Sequence, residues 1–208
     1  MPAPPYRKSV FINCPFDDDY SPLLDALVFA IHDCGFVARC TLEFDDGGQV
    51  RAEKIFNLVN ICKYGVHDIS RTELDLQNDL PRFNMPLELG IFLGARHFGR
   101  RTQREKVCLI LDTDRYRYQK YCSDISGQDI KGHKNDVAIA IRVVRNWLRT
   151  SMAGSSVLLP SGRRMGFRYT LFLNELPEMC NQLHLDVEDI IFNEYTDLVI
   201  GWLYANPW

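Results

Sequence analysis

The run from Lys106 to Leu111 constrains the fold more than any other part of this chain, because every residue after the lysine is apolar. A strand of a parallel sheet that helices cover on both faces has such a continuous apolar pattern, whereas a half-exposed strand alternates polar and apolar residues. Similar short runs occur along the chain, and apolar residues at helical spacing follow them. The predicted strands are Ser9–Asn13, Phe36–Cys40, Tyr64–Ile69, Lys106–Leu111 and Ile125–Ile130.

Helices predicted between these strands complete a βα alternation. They are a helix that opens at Ser21 and ends at Gly35, then Val50–Cys62, Met85–His97, Arg115–Cys122 and Asp136–Arg149. Right-handed crossovers between parallel strands place such helices on both faces of the sheet. The predicted fold class is therefore α/β: a flavodoxin/Rossmann-like parallel sheet of about five strands with helices on both faces, over residues 1–150, plus a C-terminal helical extension.

Residues 165–208 are predicted to form that extension, packed on the α/β domain or on a partner subunit. Two helices are expected, Phe167–Leu183 and Val187–Tyr204, after a linker at Met152–Arg164 that is rich in Ser, Gly and Arg. The tail Trp202–Trp208 is strongly aromatic, and aromatic side chains left in water are costly. We expect the tail to be buried, and its apolar character makes a homo-oligomer the expected assembly.

Composition indicates a soluble globular protein and excludes several classes of function. Of the 208 residues, 46% are hydrophobic and 25% charged, and a net charge of −3 provides no general attraction to nucleic acid or to anionic membranes. The seven cysteines include no C-x-x-C pair, which favours reduced thiols over disulfides or a structural zinc site. The sequence shows neither an apolar signal sequence nor the roughly 18 apolar residues of a membrane span, so we expect a cytoplasmic location.

Motifs of several enzyme classes are missing from the sequence. It contains no G-x-S-x-G elbow, no Walker loop and no H-E-x-x-H, so hydrolase-triad, NTPase and zinc-enzyme readings have no support and no metal site is expected. One basic cluster is expected in a solvated loop on the edge of the sheet opposite the ligand crevice, which argues against nucleic acid as a partner. Its members are Arg96, Arg100, Arg101, Arg104 and Lys106.

Two acidic residues are placed by this topology at the carboxyl edge of the sheet, where open α/β sheets bind ligands. Asp68 ends the third strand, with Ser70 beside it, and Glu88 falls in the first turn of the next helix, with Asn84 as the expected cap. Apolar neighbours indicate that the Glu88 carboxylate is partly desolvated. Each acid also has a structural explanation. On that interpretation Glu88 is simply an acid that interacts favourably with the helix dipole, and Asp68 is a turn former.

Other candidate contacts with a ligand follow strands or lie on the same helix. Asn13 begins the loop after the first strand. Asp17 in that loop has two interpretations: it binds ribose hydroxyls or a divalent ion, or it is an exposed turn residue. Tyr116 follows the fourth strand, either to stack on a purine or nicotinamide ring or to pack on the core. Gly90 and Gly94 leave a stripe without side chains where backbone or ligand can approach closely.

The strand Val66–Ser70 and the helix Asn84–Ala95 together resemble the TIR-like and nucleoside 2-deoxyribosyltransferase-like superfamily. Its members carry a strand that ends in an acid and Ser or Thr, followed by an Asn-x-x-x-Glu-Leu-Gly-x-x-x-Gly/Ala helix. Val10–Gly35 is similar to the first strand and helix of TIR domains, and the resemblance covers about residues 8–130. The chain departs from the family in a longer loop between the two motif elements and in the helices after about Met165.

The resemblance implies chemistry at the anomeric carbon of a ribosyl group. In that superfamily the helix glutamate attacks or stabilises this carbon as the N-glycosidic bond breaks, which implies that role for Glu88. Asp68 would hold a ribose hydroxyl or orient Glu88. NAD would be a substrate, and no cofactor is expected. Many bacterial TIR relatives act in anti-phage defence, where they consume NAD or convert it to a cyclic ADP-ribose-type signal, often after assembling.

The leading hypothesis is thus an N-glycosidase or cyclase of bacterial TIR-like type that acts on NAD or a related nucleotide in anti-phage defence signalling. The expected assembly is a homo-oligomer, and an effector protein is a further candidate partner. One alternative is a nucleoside or nucleotide 2-deoxyribosyltransferase-like hydrolase, and another is a non-catalytic nucleotide-sensing TIR scaffold. Glu88 is the predicted catalytic residue, and the predicted substrate contacts are Asn13, Asp17, Asp68, Ser70, Asn84 and Tyr116.

Overall fold

The computed structural model describes residues 5–72, 80, 82–152 and 156–208. Within these ranges the strands are β1 (Ser9–Asn13), β2 (Val37–Arg39), β3 (Tyr64–Asp68), β4 (Val107–Asp112) and β5 (Lys131–Gly132). The α-helices are α1 (Ser21–Asp33), α2 (Arg51–Ile61), α3 (Asn84–Phe98), α4 (Arg101–Arg104), α5 (Val137–Ser151), α6 (Gly162–Gln182) and α7 (Phe192–Ala205). Short 3-10 turns lie at Tyr6–Lys8, Thr41–Glu43, Arg117–Lys120 and Ser123–Ile125.

The strands form one sheet in the order β2-β1-β3-β4-β5, and every neighbouring pair is parallel. From β1 the chain first adds β2 on one side and then β3 on the other, so its direction across the sheet reverses between β1 and β3. This is the flavodoxin-like order, and the predicted α/β class is confirmed. Sheets of this order bind ligands at the carboxyl ends of the two strands where the direction reverses.

The fifth strand was predicted in the wrong place. It is only Lys131–Gly132, paired with the last two residues of β4, whereas the predicted Ile125–Ile130 forms turns. Ile125 and Ile130 are apolar because they pack beside α3 in a cluster with Leu89, and Gly127 has a positive φ of 95° that interrupts any extended run. The predicted helix over residues 115–122 is likewise reduced to a short 3-10 turn.

The two faces of the sheet are covered to different depths. Phe11 and its neighbours on one face pack against α2 and α3. On the other face Val10 and Ile12 lie beneath α1 and α5, and α6 and α7 form a further layer on these helices. Phe172 of α6 joins the layers, with its ring centroid 5.4 Å from that of Phe29 in α1 and 5.8 Å from that of Trp202 in α7. The C-terminal helices therefore bury their apolar faces on their own chain.

The predicted bounds of the C-terminal region differ from the structure. Ser161 caps α6, so this helix begins inside the predicted linker, and α7 begins at Phe192 rather than near residue 187. Trp202 is buried, but Tyr204 is 90% exposed and Trp208 is 54% exposed, so the predicted burial of the tail is wrong for these two. Residues 202 and 204 are two apart in a helix and therefore point to opposite sides of it.

Lys106 also differs from its prediction, because it is buried rather than part of a solvated basic loop. Its ammonium donates hydrogen bonds to the carbonyls of Val59 and Cys62, where α2 ends, and it lies 4.6 Å from the centre of the Phe92 ring. Burial lowers its pKa to about 8. A cation at the carboxyl end of a helix interacts favourably with the helix dipole.

In the part of the chain that the structure describes, each helix is too short or too polar to cross a bilayer.

Candidate active site

A polar residue ends each of the three central strands at the carboxyl edge of the sheet. These residues are Asn13 on β1, Asp68 on β3 and Asp112 on β4, and all of them are buried. Because the strands are parallel, the three side chains lie along the edge predicted to bind a ligand. Their hydrogen bonds show which of them hold the fold together.

Asn13 connects β1 to the first turn of α3. Its Nδ2 donates hydrogen bonds to the carbonyl of Met85 at 2.9 Å and to Nδ1 of His67 at 3.0 Å. Since Nδ1 accepts, the neutral His67 ring carries its proton on Nε2, and burial, aided by the charge of Lys106, lowers its pKa to about 3. Asn13 is 2% exposed, and its hydrogen bond to Met85 holds the start of α3 against β1. Its predicted contact with a substrate stays a prediction.

Asp68 is the centre of a buried hydrogen-bond network. Its Oδ2 accepts from the Tyr20 hydroxyl at 2.6 Å and lies 3.1 Å from Nε2 of His133, and its Oδ1 accepts from the Ser70 backbone at 2.8 Å. Burial alone would raise the pKa of Asp68, but these partners hold it below its ordinary value. The side chain has no exposed surface, so direct contact with a ribose hydroxyl requires Tyr20 or His133 to move.

Sequence reasoning missed both Tyr20 and His133. His133 directly follows β5, and the backbone N–H of Asn135 donates to its Nδ1 at 3.0 Å, which leaves Nε2 facing Asp68. Lys134 and Asn135 have φ angles of 55° and 54°, and this left-handed pair turns the chain sharply after the histidine. A correct position for β5 would have placed His133 at the carboxyl edge of the sheet. No local signal marks Tyr20, which is 48 residues from its partner.

Glu88 lies on the side of α3 that faces the sheet. The buried residues of this helix are Met85, Glu88, Leu89 and Phe92, spaced three and four apart as one face of a helix requires. The Glu88 side chain is 7% exposed, and burial raises its pKa from 4.5 to about 7, with Arg51 acting in the opposite direction. Among the described residues, its carboxylate has no hydrogen-bond or ion-pair partner.

The start of α3 corrects two expectations about Glu88. The helix begins at Asn84 itself, because the backbone N–H of Leu87 already donates to the carbonyl of Phe83, and the N-cap residue Phe83 makes no capping hydrogen bond through its side chain. Asn84 is therefore not the predicted cap, and the structure records no contact between its side chain and the other candidates. Glu88 is the fifth residue of the helix rather than a first-turn acid, so the helix dipole explains little of its presence.

Three of the predicted acids act electrostatically on Cys14, the first residue after β1. Burial raises the pKa of the Cys14 thiol well above its ordinary value, and the charges of Asp68, Glu88 and Asp17 raise it further. These carboxylates come from the β1–α1 loop, from β3 and from α3, so the structure brings the predicted acidic residues to one region of the carboxyl edge. In the described ranges, no three His, Cys, Asp or Glu side chains are grouped as metal ligands.

Tyr116 is 62% exposed and its ring lies 5.3 Å from the neighbouring Arg115 guanidinium, so its predicted contact with a ligand ring stays a prediction. Two other residues of the same segment contact the groups at the carboxyl edge. Arg117 pairs with Asp112 at 2.7 Å and donates to the carbonyl of Ser70, and the Tyr121 hydroxyl lies 2.8 Å from Asp112. They hold the backbone that leaves β3.

Ser70 contributes its backbone to the contacts at this edge. Its N–H donates to Asp68 and its carbonyl accepts from Arg117, and Ser70 is among the groups that lower the pKa of the Asp68 carboxyl. Its substrate contact remains a prediction.

In the described ranges no backbone approaches the glycines of α3 closely, and the approach of a ligand to them stays a prediction. A Cβ atom at Gly90 or Gly94 would meet nothing within 4 Å beyond the backbone of its own helix. The two glycines line a groove of about 850 Å³ on the outer side of the helix, together with Leu93 and Phe98. The close approach is at Gly65 on β3, where a Cβ atom would lie 2.8 Å from the Phe92 ring and 2.6 Å from His67.

Comparison with known proteins adds no relative to this picture: no protein-family model, no curated protein and no solved structure matches the chain. The residues of the site and the resemblance of the two motif elements are therefore what supports a function.

Proposed function

We propose that this protein cleaves the N-glycosidic bond of NAD or a related nucleotide, with Glu88 acting on the ribosyl anomeric carbon. The observation that carries the proposal is the burial of Glu88 without a partner among the described residues. Burying an unpaired carboxylate destabilises a fold. No hydrogen bond or ion pair within the described ranges accounts for a glutamate at this position, which supports a role in binding or chemistry.

The proposed reaction requires a negative charge close to C1′ of the ribose. When the C1′–N bond breaks, its electron pair leaves with nicotinamide and the ribosyl group becomes oxocarbenium-like. A carboxylate at this position either stabilises the positive centre or forms a bond to it. Attack by water then gives a ribosyl hydroxyl, releases one proton to solvent and frees the carboxylate, and attack by a second group of the same substrate gives the cyclic product instead.

NAD is a suitable substrate because its nicotinamide ring is a cation. An unpaired carboxylate in a poorly solvated position attracts a cation more strongly than the same carboxylate would in water. Binding would therefore supply the charge partner that Glu88 lacks among the described residues and would favour its ionised form. The motif resemblance supports the same assignment, and it alone supports the proposed setting in anti-phage defence signalling.

Base release from intact substrates tests the proposal. Purified protein is incubated with NAD and, separately, with a panel of nucleosides and deoxynucleosides, and the released bases are separated by chromatography. We expect nicotinamide release by the wild-type protein and a loss of at least about a hundredfold in Glu88→Gln, because the glutamine amide carries no charge. Glu178→Gln is the matched control, since Glu178 is exposed on α6.

Three results would count against the proposal. Release of nicotinamide by Glu88→Gln at the wild-type rate would remove Glu88 from the mechanism. Release of bases from deoxynucleosides but not from NAD would favour the deoxyribosyltransferase-like hydrolase. Nucleotide binding without any product over long incubation would favour the non-catalytic scaffold.

A further inference from the structure

Two arginines converge on Asp17 beside the candidate site. Nη1 of Arg82 lies 2.7 Å from Oδ2 of Asp17, and Nη2 of Arg71 lies 3.6 Å from Oδ1 of the same carboxylate. The Arg71 guanidinium is also 3.5 Å from Asp19. Two positive groups thus share one acid of the β1–α1 loop, and neither arginine was among the residues singled out from the sequence.

The chain places this cluster at the same carboxyl edge of the sheet as Glu88. Arg71 follows Asp68 closely and Arg82 stands just before α3, while Asp17 is one of the acids whose charge acts on Cys14 together with that of Glu88. The Asp17 carboxylate also accepts a hydrogen bond from the backbone of Tyr20 at 3.0 Å, which holds it in the loop. A ligand with its ribose at Glu88 would therefore carry its neighbouring groups towards the two arginines.

The contacts within the cluster are of the kind that a ligand replaces readily. The side chains of Arg71 and Arg82 are 35% and 46% exposed, and that of Asp17 is 25% exposed. Ion pairs this accessible to water are weak. A guanidinium group binds a phosphate through two parallel hydrogen bonds, and a phosphate carries more charge and more acceptor oxygens than one carboxylate.

We propose that Arg71 and Arg82 bind a phosphate group of the substrate, and that Asp17 forms ion pairs with both arginines until the phosphate displaces it. This inference rests on the proposed function for the position of the ribose. It narrows the substrate class, because it requires a nucleotide or dinucleotide rather than a free nucleoside. It also gives Asp17 a role opposite to the predicted one: Asp17 competes with the ligand instead of binding its ribose hydroxyls.

Calorimetric titration with two ligands tests the inference without turnover. ADP-ribose carries phosphates, and adenosine carries none. We expect Arg71→Gln and Arg82→Gln each to weaken ADP-ribose binding by about tenfold or more, and to leave adenosine binding unchanged. Arg7→Gln is the matched control. Arg7 pairs with Glu105 at 2.7 Å, the same distance as in the Arg82–Asp17 pair, but on the opposite edge of the sheet.

Asp17→Asn gives a result of opposite sign. Asparagine keeps the oxygen that accepts from Tyr20 but loses the charge that holds the arginines, so ADP-ribose should bind several-fold more tightly. Misfolding cannot produce a gain in affinity. The inference is overturned if Asp17→Asn binds ADP-ribose no more tightly than wild type, if the arginine variants bind it equally well, or if the wild-type protein does not bind it.

These outcomes are separable from those of the glycosidase proposal. Loss of ADP-ribose affinity in Arg82→Gln, together with nicotinamide release by Glu88→Gln, would keep the phosphate site and reject the catalytic role. Nicotinamide release that depends on Glu88 but not on either arginine, with equal ADP-ribose affinities, would do the reverse.

Discussion

Buried carboxylates in this protein differ in whether they have a partner. Asp33 pairs with Arg168 at 3.0 Å, Asp112 pairs with Arg117 at 2.7 Å, and Asp68 accepts hydrogen bonds from two groups and lies beside a histidine. Glu88 has no such contact among the described residues. Pairing offsets the cost of desolvation for the first three, so the cost at Glu88 should be measurable.

Replacing Glu88 should stabilise the fold in a pH-dependent way. Because the folded-state pKa of Glu88 is raised from 4.5 to about 7, ionisation destabilises the native protein progressively between these values, and the full penalty is present above pH 7. We expect Glu88→Gln to increase the free energy of unfolding by about 1–3 kcal/mol at pH 8 and by much less at pH 5. Urea unfolding at the two pH values measures the difference.

The control for this measurement is Glu178→Gln, whose exposed side chain should leave the stability nearly unchanged at both pH values. An equal effect of Glu88→Gln at pH 5 and pH 8, or a loss of stability at pH 8, would contradict a buried and unpaired carboxylate. Greater stability combined with lost activity is the trade-off expected when a group is retained for function.

Single residues at strand ends could be predicted, but their partners could not. Asp68 and Glu88 were placed at the carboxyl edge because one ends an apolar strand and the other follows in the next helix. Tyr20, His133 and Arg117 reach the same edge from other parts of the chain, and no local pattern links them to it. Hydrogen bonds between distant segments depend on the final packing, so the sequence pattern alone does not specify them.

At the scale of elements, the Asp68 network joins the start of α1, the end of β3 and the residue after β5. The Tyr20 hydroxyl supplies the contact from α1, at 2.6 Å from the carboxylate. Removing it leaves a buried charge with fewer donors, which costs more than an ordinary hydrogen bond. The network therefore stabilises the edge on which the proposed chemistry takes place.

Tyr20→Phe should lower the free energy of unfolding by about 1–3 kcal/mol at pH 7. Because the Asp68 pKa is depressed in the folded state, this stabilisation is present above the unfolded-state pKa and is lost as the pH falls through the folded value. The deficit of the variant should therefore shrink in acid. Tyr204→Phe is the matched control, since Tyr204 is 90% exposed, and an equal loss in both variants would contradict the network.

The length of each element decided how well it was predicted. β1, β3 and β4 are largely buried strands of five or six residues, and α3 and α5 bury one face each, so their predicted positions agree with the structure within a few residues. β5 has two residues and leaves no periodic signal. Its two backbone pairings depend on β4, which a pattern of apolar residues does not report.

The whole molecule depends on helices that follow the α/β domain. Arg168 of α6 bonds to Asp33 at the end of α1 and to the carbonyl of Asn206 in the tail, and it lies 5.3 Å from the Trp202 ring. One side chain thus links α1, α6 and the C-terminal segment. The sequence predicted helices in this region, but not which faces they bury, because amphipathic helices of similar pattern can pack on the same chain or on a partner.

Arg168→Met should therefore cost about 3–5 kcal/mol of unfolding free energy, because it leaves the buried Asp33 charge unpaired. The double variant with Asp33→Leu should recover most of this loss, which urea unfolding of the four proteins in the cycle would show. Arg7→Met, which breaks an exposed pair, should cost no more than about 1 kcal/mol. A cost as small for Arg168→Met would contradict the linking role of this residue.

Gly65 limits which amino acids this protein can accept at position 65. A methyl group at position 65 would overlap the ring of Phe92, which lies one helical turn beyond Glu88. It would also overlap the ring of His67, which is hydrogen-bonded to Asn13. The distance between the glutamate and the sheet is thus set partly by a hydrogen atom at position 65. A change from glycine to alanine, harmless at most exposed positions, would displace Glu88 without touching it, so a protein that needs this carboxylate in place has little freedom at that position.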